Sequence, residues 1–304
     1  MIINHKPAYL HLLEQGEMES RVQLAYQHLE NCDVCPLACH VNRLQGELGV
    51  CKTGEIAQVS SYFAHHGEEG PISGKQGSGT IFFTRCNLRC GYCQNADISQ
   101  ISFGREVTAE TLAAMMLNLQ KRGCHNINFV SPSHVVPQIL AGVQAAAQKG
   151  LHIPLVYNTG GYDSVEMLSL LDGVIDIYMP DMKYGDAAIG WKYSRIKNYP
   201  EVNQRSVLEM QHQVGDLKLD EAGIAYGGLL VRHLVLPNNL ASSERILNFL
   251  AEKVSKNVYL NIMAQYHPAY NAYKFPELNR RIRPGEFREI IQLAEDLGFS
   301  RLDV

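Results

Sequence analysis

The 304-residue chain lacks an apolar run that approaches the roughly 20 residues needed to cross a bilayer. Its first residues, Met1-Ile2-Ile3-Asn4-His5-Lys6-Pro7, lack the charged, apolar and small-residue regions of a signal peptide. Both absences lead to the expectation of a cytoplasmic protein with no membrane partner. Basic charge is also short: 27 Lys and Arg face 31 Asp and Glu, for a net charge of -4. A nucleic-acid binder usually carries a basic face or a high domain pI, so that class is disfavoured. The chain contains one tryptophan, no internal repeat and no low-complexity segment. Cysteine is not scarce. Structural disulfides are rare in the cytosol, so eight cysteines, seven of them in two tight groups, point to metal binding.

Residues 18–30 have helical spacing, with Val22, Ala25, Tyr26 and Leu29 on one face. A loop holding Cys32, Cys35, Cys39 and Cys51 follows, then a short alternating stretch near Ile56–Phe63 that reads as a strand. Residues 65–79 hold five glycines and Pro71, a connector between two units. From Gly79 on, apolar runs alternate with helical patterns. Strands are expected at 80–84, 126–130, 153–157, 174–179, 229–236 and 258–263. The matching helices lie at 108–121, 136–148, 164–171, 186–214, 242–254 and 284–298, with Ser242 or Ser243 capping the fifth. Asp220–Gly223 reads as a hairpin turn. Six strand–helix units with nearly continuous apolar strands predict an α/β fold, a parallel sheet covered by helices. The expected division is a four-cysteine module at 1–76 and the α/β unit at 77–304. In barrel-like folds of this type the chemistry sits at the C-terminal ends of the strands.

The strongest motif is Cys86-x3-Cys90-x2-Cys93, directly after the first strand of the alternating unit. Thiolates favour soft metals and iron–sulfur clusters. A [4Fe–4S] cluster normally takes four cysteines, so a loop that supplies three leaves one iron open for a ligand. Three cysteines of a zinc site completed elsewhere would show the same spacing; the strand before the loop, the aromatic Tyr92 and the six-unit pattern favour the cluster. Cys32-x2-Cys35-x3-Cys39-x11-Cys51 has thiols enough for a closed second site, either Zn(Cys)4 or an auxiliary iron–sulfur cluster. Cys124 reads as a small buried hydrophobe.

The loop, with its C-x3-C-x-aromatic-C pattern, resembles the radical S-adenosylmethionine superfamily. Gly77–Phe83 and Gln94-Asn95 around it are similar to iron–sulfur proteins homologous to pyruvate formate-lyase activating enzymes. So are Asn128–His134, Tyr157–Tyr162, Pro180–Lys183, Leu230–His233 and Gln265–His267. The resemblance implies a partial (βα)6 barrel, a [4Fe–4S] cluster on Cys86, Cys90 and Cys93, and S-adenosylmethionine on the open iron. Reductive cleavage of that cofactor would yield a 5′-deoxyadenosyl radical that abstracts hydrogen, an oxidoreductase activity of the activating-enzyme type. The resemblance further implies Tyr92 near the adenine, Asn128 to Ser131 near the amino group, Asn158 and His267 as cofactor contacts, and Arg232 paired with the carboxylate. Asp181 and Lys183 occupy the place of a catalytic Asp-x-Lys pair. An external electron donor such as a flavodoxin or a ferredoxin is implied. The substrate might be a glycine of a glycyl radical enzyme, with another protein, a peptide or a small molecule as alternatives. A non-enzymatic zinc protein is the rival of a different class. Two departures stand out. Val130-Ser131-Pro132-Ser133 replaces the Gly-Gly-Glu run of activating enzymes, and Arg85 stands where a small residue is common.

Overall fold

The computed structural model describes residues 6–101 and 104–304. Near the N-terminus are α1 (Tyr9–Gln15), which the sequence reading did not anticipate, and α2 (Glu17–Gln27), joined through left-handed Gly16. Both pack on the outside of the sheet's helical layer. Tyr9 donates its hydroxyl to Ile153 O, Ala8 N donates to Asp176 Oδ1, and Arg21 reaches Leu170 O. The cysteine loop then leads into β1 (Ala57–His65).

The remaining strands are β2 (Ser78–Phe83), β3 (Arg105–Val107), β4 (Ile127–Val130), β5 (Leu155–Thr159), β6 (Ile177–Pro180), β7 (Lys218–Leu219), β8 (Ala225–Leu234), β9 (Tyr259–Met263) and β10 (Leu302–Asp303). They form one sheet in the order β10-β9-β8-β6-β5-β4-β2-β1-β3, with β7 paired to β8. From β2 through β9 the neighbours on this path run parallel, so six parallel strands form the partial (βα)6 barrel. β1 adds antiparallel to β2, with Phe63 opposite Thr80. The sheet therefore continues across the expected division at 76/77.

The helices between strands are α4 (Ala109–Lys121), α5 (Val136–Ala147), α6 (Val165–Leu171), α7 (Ala187–Ser194), α8 (Tyr199–Val214), α9 (Ser243–Phe249) and α10 (Pro284–Asp296). Local chemistry accounts for their starts. Thr108 accepts from Thr111 N, Ser164 from Met167 N, and Asp186 from Ala188 N and Ile189 N, each satisfying an orphan donor of the first turn. Pro284 opens α10, and Glu286 reaches back to Arg283 N. The expected cap of the fifth helix is different: Ser242 is left-handed and makes no side-chain cap, while Asn239 Oδ1 accepts from Ser243 N. Among the described residues no helix is long and apolar enough to cross a membrane.

Alternation along the strands makes two layers. Ile127, Phe129, Leu155, Tyr157, Tyr178, Leu229, Val231, Leu260 and Ile262 face the helices and form the main core. The opposite face looks into the barrel. Its lower part is closed by the connector, which folds as the short helix α3 (Gly70–Ser73). Ile72, fully buried, packs with Val156, Ile177, Met179, Leu217 and Leu230. Asn126 Nδ2 holds Ile72 O at 2.8 Å. What reads in sequence as a glycine-rich linker is the floor of the barrel.

Candidate radical site and cysteine module

Above that floor the barrel interior is polar. Glu68 and Glu69, at the start of α3, point inward. Asn128 Nδ2 donates to Glu68 Oε1 at 3.2 Å, and Asn261 Nδ2 to Glu69 Oε1 at 2.8 Å. Over them lies Arg232. Its Nε donates to Asp181 Oδ1 at 2.9 Å and its Nη2 to Asn158 Oδ1 at 2.7 Å, while Nη1 stands 3.6 Å from Glu68 and 3.9 Å from Glu69. Asp181 also accepts from Lys183 Nζ at 2.5 Å. Burial alone would push the Asp181 carboxyl up, but Arg232 and Lys183 hold it below the ordinary carboxylate range. Asp181 in turn outweighs burial at Lys183 and keeps the ammonium charged. Glu68 behaves differently: burial pushes its carboxyl up to about 7 against the pull of Arg232.

The cysteine loop covers the C-terminal ends of the strands. Cys86, Cys90 and Cys93 line one cavity of about 130 Å³ together with Val130, Ser131, Asn158, Gly160, Asp181, Lys183 and Arg232. A second cavity of about 200 Å³ shares Cys90, Cys93, Asp181, Lys183 and Arg232 and adds Tyr92, Leu234 and Met263. The two form one trough. The backbone around it is tightly set. Arg85 (φ 73) and Ser131 (φ 59) are left-handed non-glycine residues, a strained conformation that often marks functional sites. Gly161 must be glycine, because a Cβ there would lie 2.1 Å from Asp181 O.

The loop thiols suit a cluster. Leu88 N donates to Cys86 Sγ at 3.4 Å, Ser194 Oγ to Cys90 Sγ at 3.0 Å, and Ser99 Oγ lies 3.2 Å from Cys93 Sγ. Such donors stabilise thiolate sulfur and tune iron–sulfur potentials. Without a metal, burial pushes the Cys86 thiol up to about 12, so ligation is what would deprotonate it. All eight cysteines are free, and Cys124 is buried in the main core as expected.

Of the residues expected at the site, Asp181, Lys183, Ser131, Asn158, Arg232 and Tyr92 line the trough. Two do not. Asn128 lies one layer lower and turns to Glu68; His267 stands behind Gln94, whose Nε2 is 3.2 Å from its Nδ1. Strand alternation sends Arg232 inward and His233 outward, where it bridges Met182 O and Ser243 Oγ. His134, buried and pushed down to about 3 chiefly by burial, is a neutral structural residue bonded to Thr84 O. Sequence reasoning missed Glu68, Glu69 and Asn261. The only signal for the first two was an acid pair placed between Gly67 and Gly70.

The four-cysteine module meets the other side of the cysteine loop. Val50 N donates to Cys39 Sγ at 3.4 Å, and backbone N–H groups of Val34 and Leu37 point to Cys32 and Cys35. Gly49 leaves the space that Cys39 Sγ needs, since a Cβ would lie 2.9 Å from it. Arg43, 1% exposed, donates to Gly54 O and His134 O, and its Nη1 lies 3.9 Å from Cys32 Sγ. The donor set has the chemistry of a metal knuckle. Among the described residues, however, no three His, Cys, Asp or Glu side chains are gathered in a metal-holding group.

Comparison with known proteins agrees with the geometry. Residues 80–250 match the model of the Radical SAM superfamily. An uncharacterized protein of Methanocaldococcus jannaschii is 32% identical over 94% of this chain and 80% of its own length. A pyruvate formate-lyase-activating enzyme of Clostridium pasteurianum is 28% identical over 111 residues, 35% of this chain and 45% of that enzyme. In fold, a radical SAM methyltransferase from Sphaerobacter thermophilus superposes with a TM-score of 0.50 at 13% identity, covering 74% of this chain and 65% of that one. A three-thiol loop over the strand ends of a partial barrel, and a family match across more than half of the residues, lead to one conclusion: this chain belongs to the radical SAM superfamily.

Proposed function

We propose that this protein is an activating-type oxidoreductase that removes a hydrogen atom from a segment of another polypeptide, a glycyl radical enzyme being the leading candidate. One observation carries the polypeptide part of this reading. The trough at the strand ends is closed below by Arg232, Glu68, Glu69 and Ile72. Enclosed small-molecule sites usually occupy roughly 300–1,000 Å³. Each of the two cavities, about 130 and 200 Å³ with common walls, falls below that range, which favours a trough filled by its cofactor over one that also holds a small substrate. The substrate must then reach in from outside. The partial similarity to an activating enzyme supports a protein target.

When bound, the [4Fe–4S] cluster and S-adenosylmethionine supply reductive cleavage of a sulfonium bond and with it a hydrogen-abstracting radical. Cys86, Cys90 and Cys93 would hold the cluster. Arg232 and Lys183 present two cationic donors to a carboxylate, with Asp181 fixing both. Tyr92, edge-on to Tyr184 and Tyr266, forms an apolar wall for an aromatic base. Ser131 and Asn158 supply polar contacts at the rim. The four module cysteines would hold a second metal, zinc or iron–sulfur.

The test is anaerobic reconstitution followed by dithionite and S-adenosylmethionine, with 5′-deoxyadenosine quantified. Wild type forms it, and a Cys86→Ala/Cys90→Ala/Cys93→Ala variant does not. Incubation with a candidate glycyl radical enzyme then gives a persistent glycyl signal by electron paramagnetic resonance. Cofactor cleavage without that signal, across candidate partners, removes the activase reading.

A further inference from the structure

A second region of interest is a cavity of about 360 Å³, larger than either cavity of the trough. It is an open cleft on the outer side of the cysteine loop, between the four-cysteine module, the end of α7 and the segment 270–275. Among the described residues its walls carry Lys52, Arg85, Arg89, Lys192, Arg195 and Lys274, and no Asp or Glu. In a chain with more acids than bases, that is a strong local bias. Five of the six are exposed, all but Arg85. From the rim, Glu277 pairs with Lys192 at 2.6 Å.

Two further features narrow what this cleft could take. Its margin carries exposed aromatics: Tyr270 is 42% exposed, Tyr273 64% and, beside the cleft, Trp191 44%. Arg195 and Lys197 lie over the Trp191 ring, at 5.8 and 5.3 Å from its centroid. Arg, Tyr and Trp are enriched at protein-docking surfaces, and the lysines add to the positive field that would attract an acidic partner. With its own cations on it, Trp191 is poorly placed to stack a base. The second feature is position. Cys86, Ser99 and Gln100 line both this cleft and the trough, so one thiol wall separates them. The trough is where a substrate would meet the radical; the cleft touches the same loop from behind.

We infer that this cleft is the docking surface for an acidic one-electron carrier protein, which delivers its electron through the Cys86 side of the loop. The inference rests on the radical SAM reading, because reductive cleavage consumes an electron that the polypeptide does not itself supply. The balance is simple: the carrier is oxidised by one electron, the cluster is reduced by one, and no bond forms between the proteins. Opposite charge across such a surface raises the association rate by about 10- to 1,000-fold at low salt, and salt screens it.

The experiment compares two reductants on the reconstituted enzyme: dithionite and a reduced, acid-rich bacterial flavodoxin. Flavodoxin affinity is measured separately by calorimetry at low and high salt, a readout that does not need turnover. The variants are Arg195→Glu/Lys274→Glu, the milder Arg195→Gln/Lys274→Gln, and a distant control, Lys149→Glu/Lys253→Glu. The charge reversal should weaken flavodoxin binding and flavodoxin-driven 5′-deoxyadenosine formation by about tenfold or more. The Gln pair should show a smaller loss, the control none, and dithionite-driven formation should not change. Undiminished flavodoxin binding in the charge reversal, or equal losses with both reductants, overturns the inference. If wild type yields no 5′-deoxyadenosine with dithionite, the family chemistry fails instead, while the binding measurement still judges the cleft.

Discussion

Two buried arginines show how differently the two halves of this molecule use a charge. Arg232, inside the barrel, is surrounded by Asp181, Glu68 and Glu69, so its charge is matched by side chains already in place. Arg43, inside the cysteine module, is more deeply buried, and its hydrogen bonds go to two carbonyls and one thiol. An unmatched buried cation costs several kcal/mol. A metal–tetrathiolate site would carry the missing negative charge, which makes Arg43 an independent reason to put a metal there. Arg43 also binds His134 O, and His134 binds Thr84 O, two residues before Cys86. The module is thereby tied to the radical loop by hydrogen bonds rather than by sequence proximity.

That contrast can be broken experimentally. Its largest expected effect is Arg43→Met in metal-loaded protein, which removes the balancing cation and should cost about 3–5 kcal/mol in denaturant unfolding. After chelation the thiols are neutral, and the same substitution should cost much less. Equal costs in both states would end the charge-balance argument. Next is Asp181→Asn, which leaves Arg232 and Lys183 without their shared carboxylate. S-adenosylmethionine affinity should fall about tenfold, near 1.4 kcal/mol, by equilibrium dialysis. An unchanged affinity would show that Asp181 does not organise these cations.

The third test concerns pH. The Glu68 carboxyl, facing Arg232, Glu69 and Asp181, is raised from its ordinary 4.5 to about 7 by burial. A raised carboxyl contributes stability that is full below pH 4.5 and lost as pH rises through 7. Glu68→Gln should therefore flatten the stability–pH curve across that window and stabilise the fold above pH 7 by roughly 1–2 kcal/mol. A variant with the wild-type slope would show that Glu68 is ionised throughout. The smallest effect is Thr108→Ala, which deletes the side-chain cap of α4. It should cost about 0.5–1 kcal/mol in thermal unfolding and leave cofactor cleavage intact.

The elements legible in sequence were those with strong local signals. Helices α4, α5 and α10 match their expected spans because caps, prolines and apolar periodicity agree there. The alternation around Arg232 and His233 was readable too, since a strand can send only one of two neighbours inward. α1 escaped because seven residues hold too little pattern. α3 escaped because its glycines read as a linker and its burial comes from Ile72 entering a barrel that does not exist until six strands assemble.

By itself the sequence determined the chemistry: thiol spacing is local, and three cysteines on one short loop restrict the metals and the open site they can make. It also determined the strand–helix order, because period and capping act over a few residues. Only the tertiary structure decided charge. Glu68 and Glu69 meet Arg232 from more than 160 residues away, Arg43 meets His134 across 91, and six cations from four segments gather behind Cys86. Electrostatic energy depends on distance and burial in space, and neither is written in the spacing of residues along the chain.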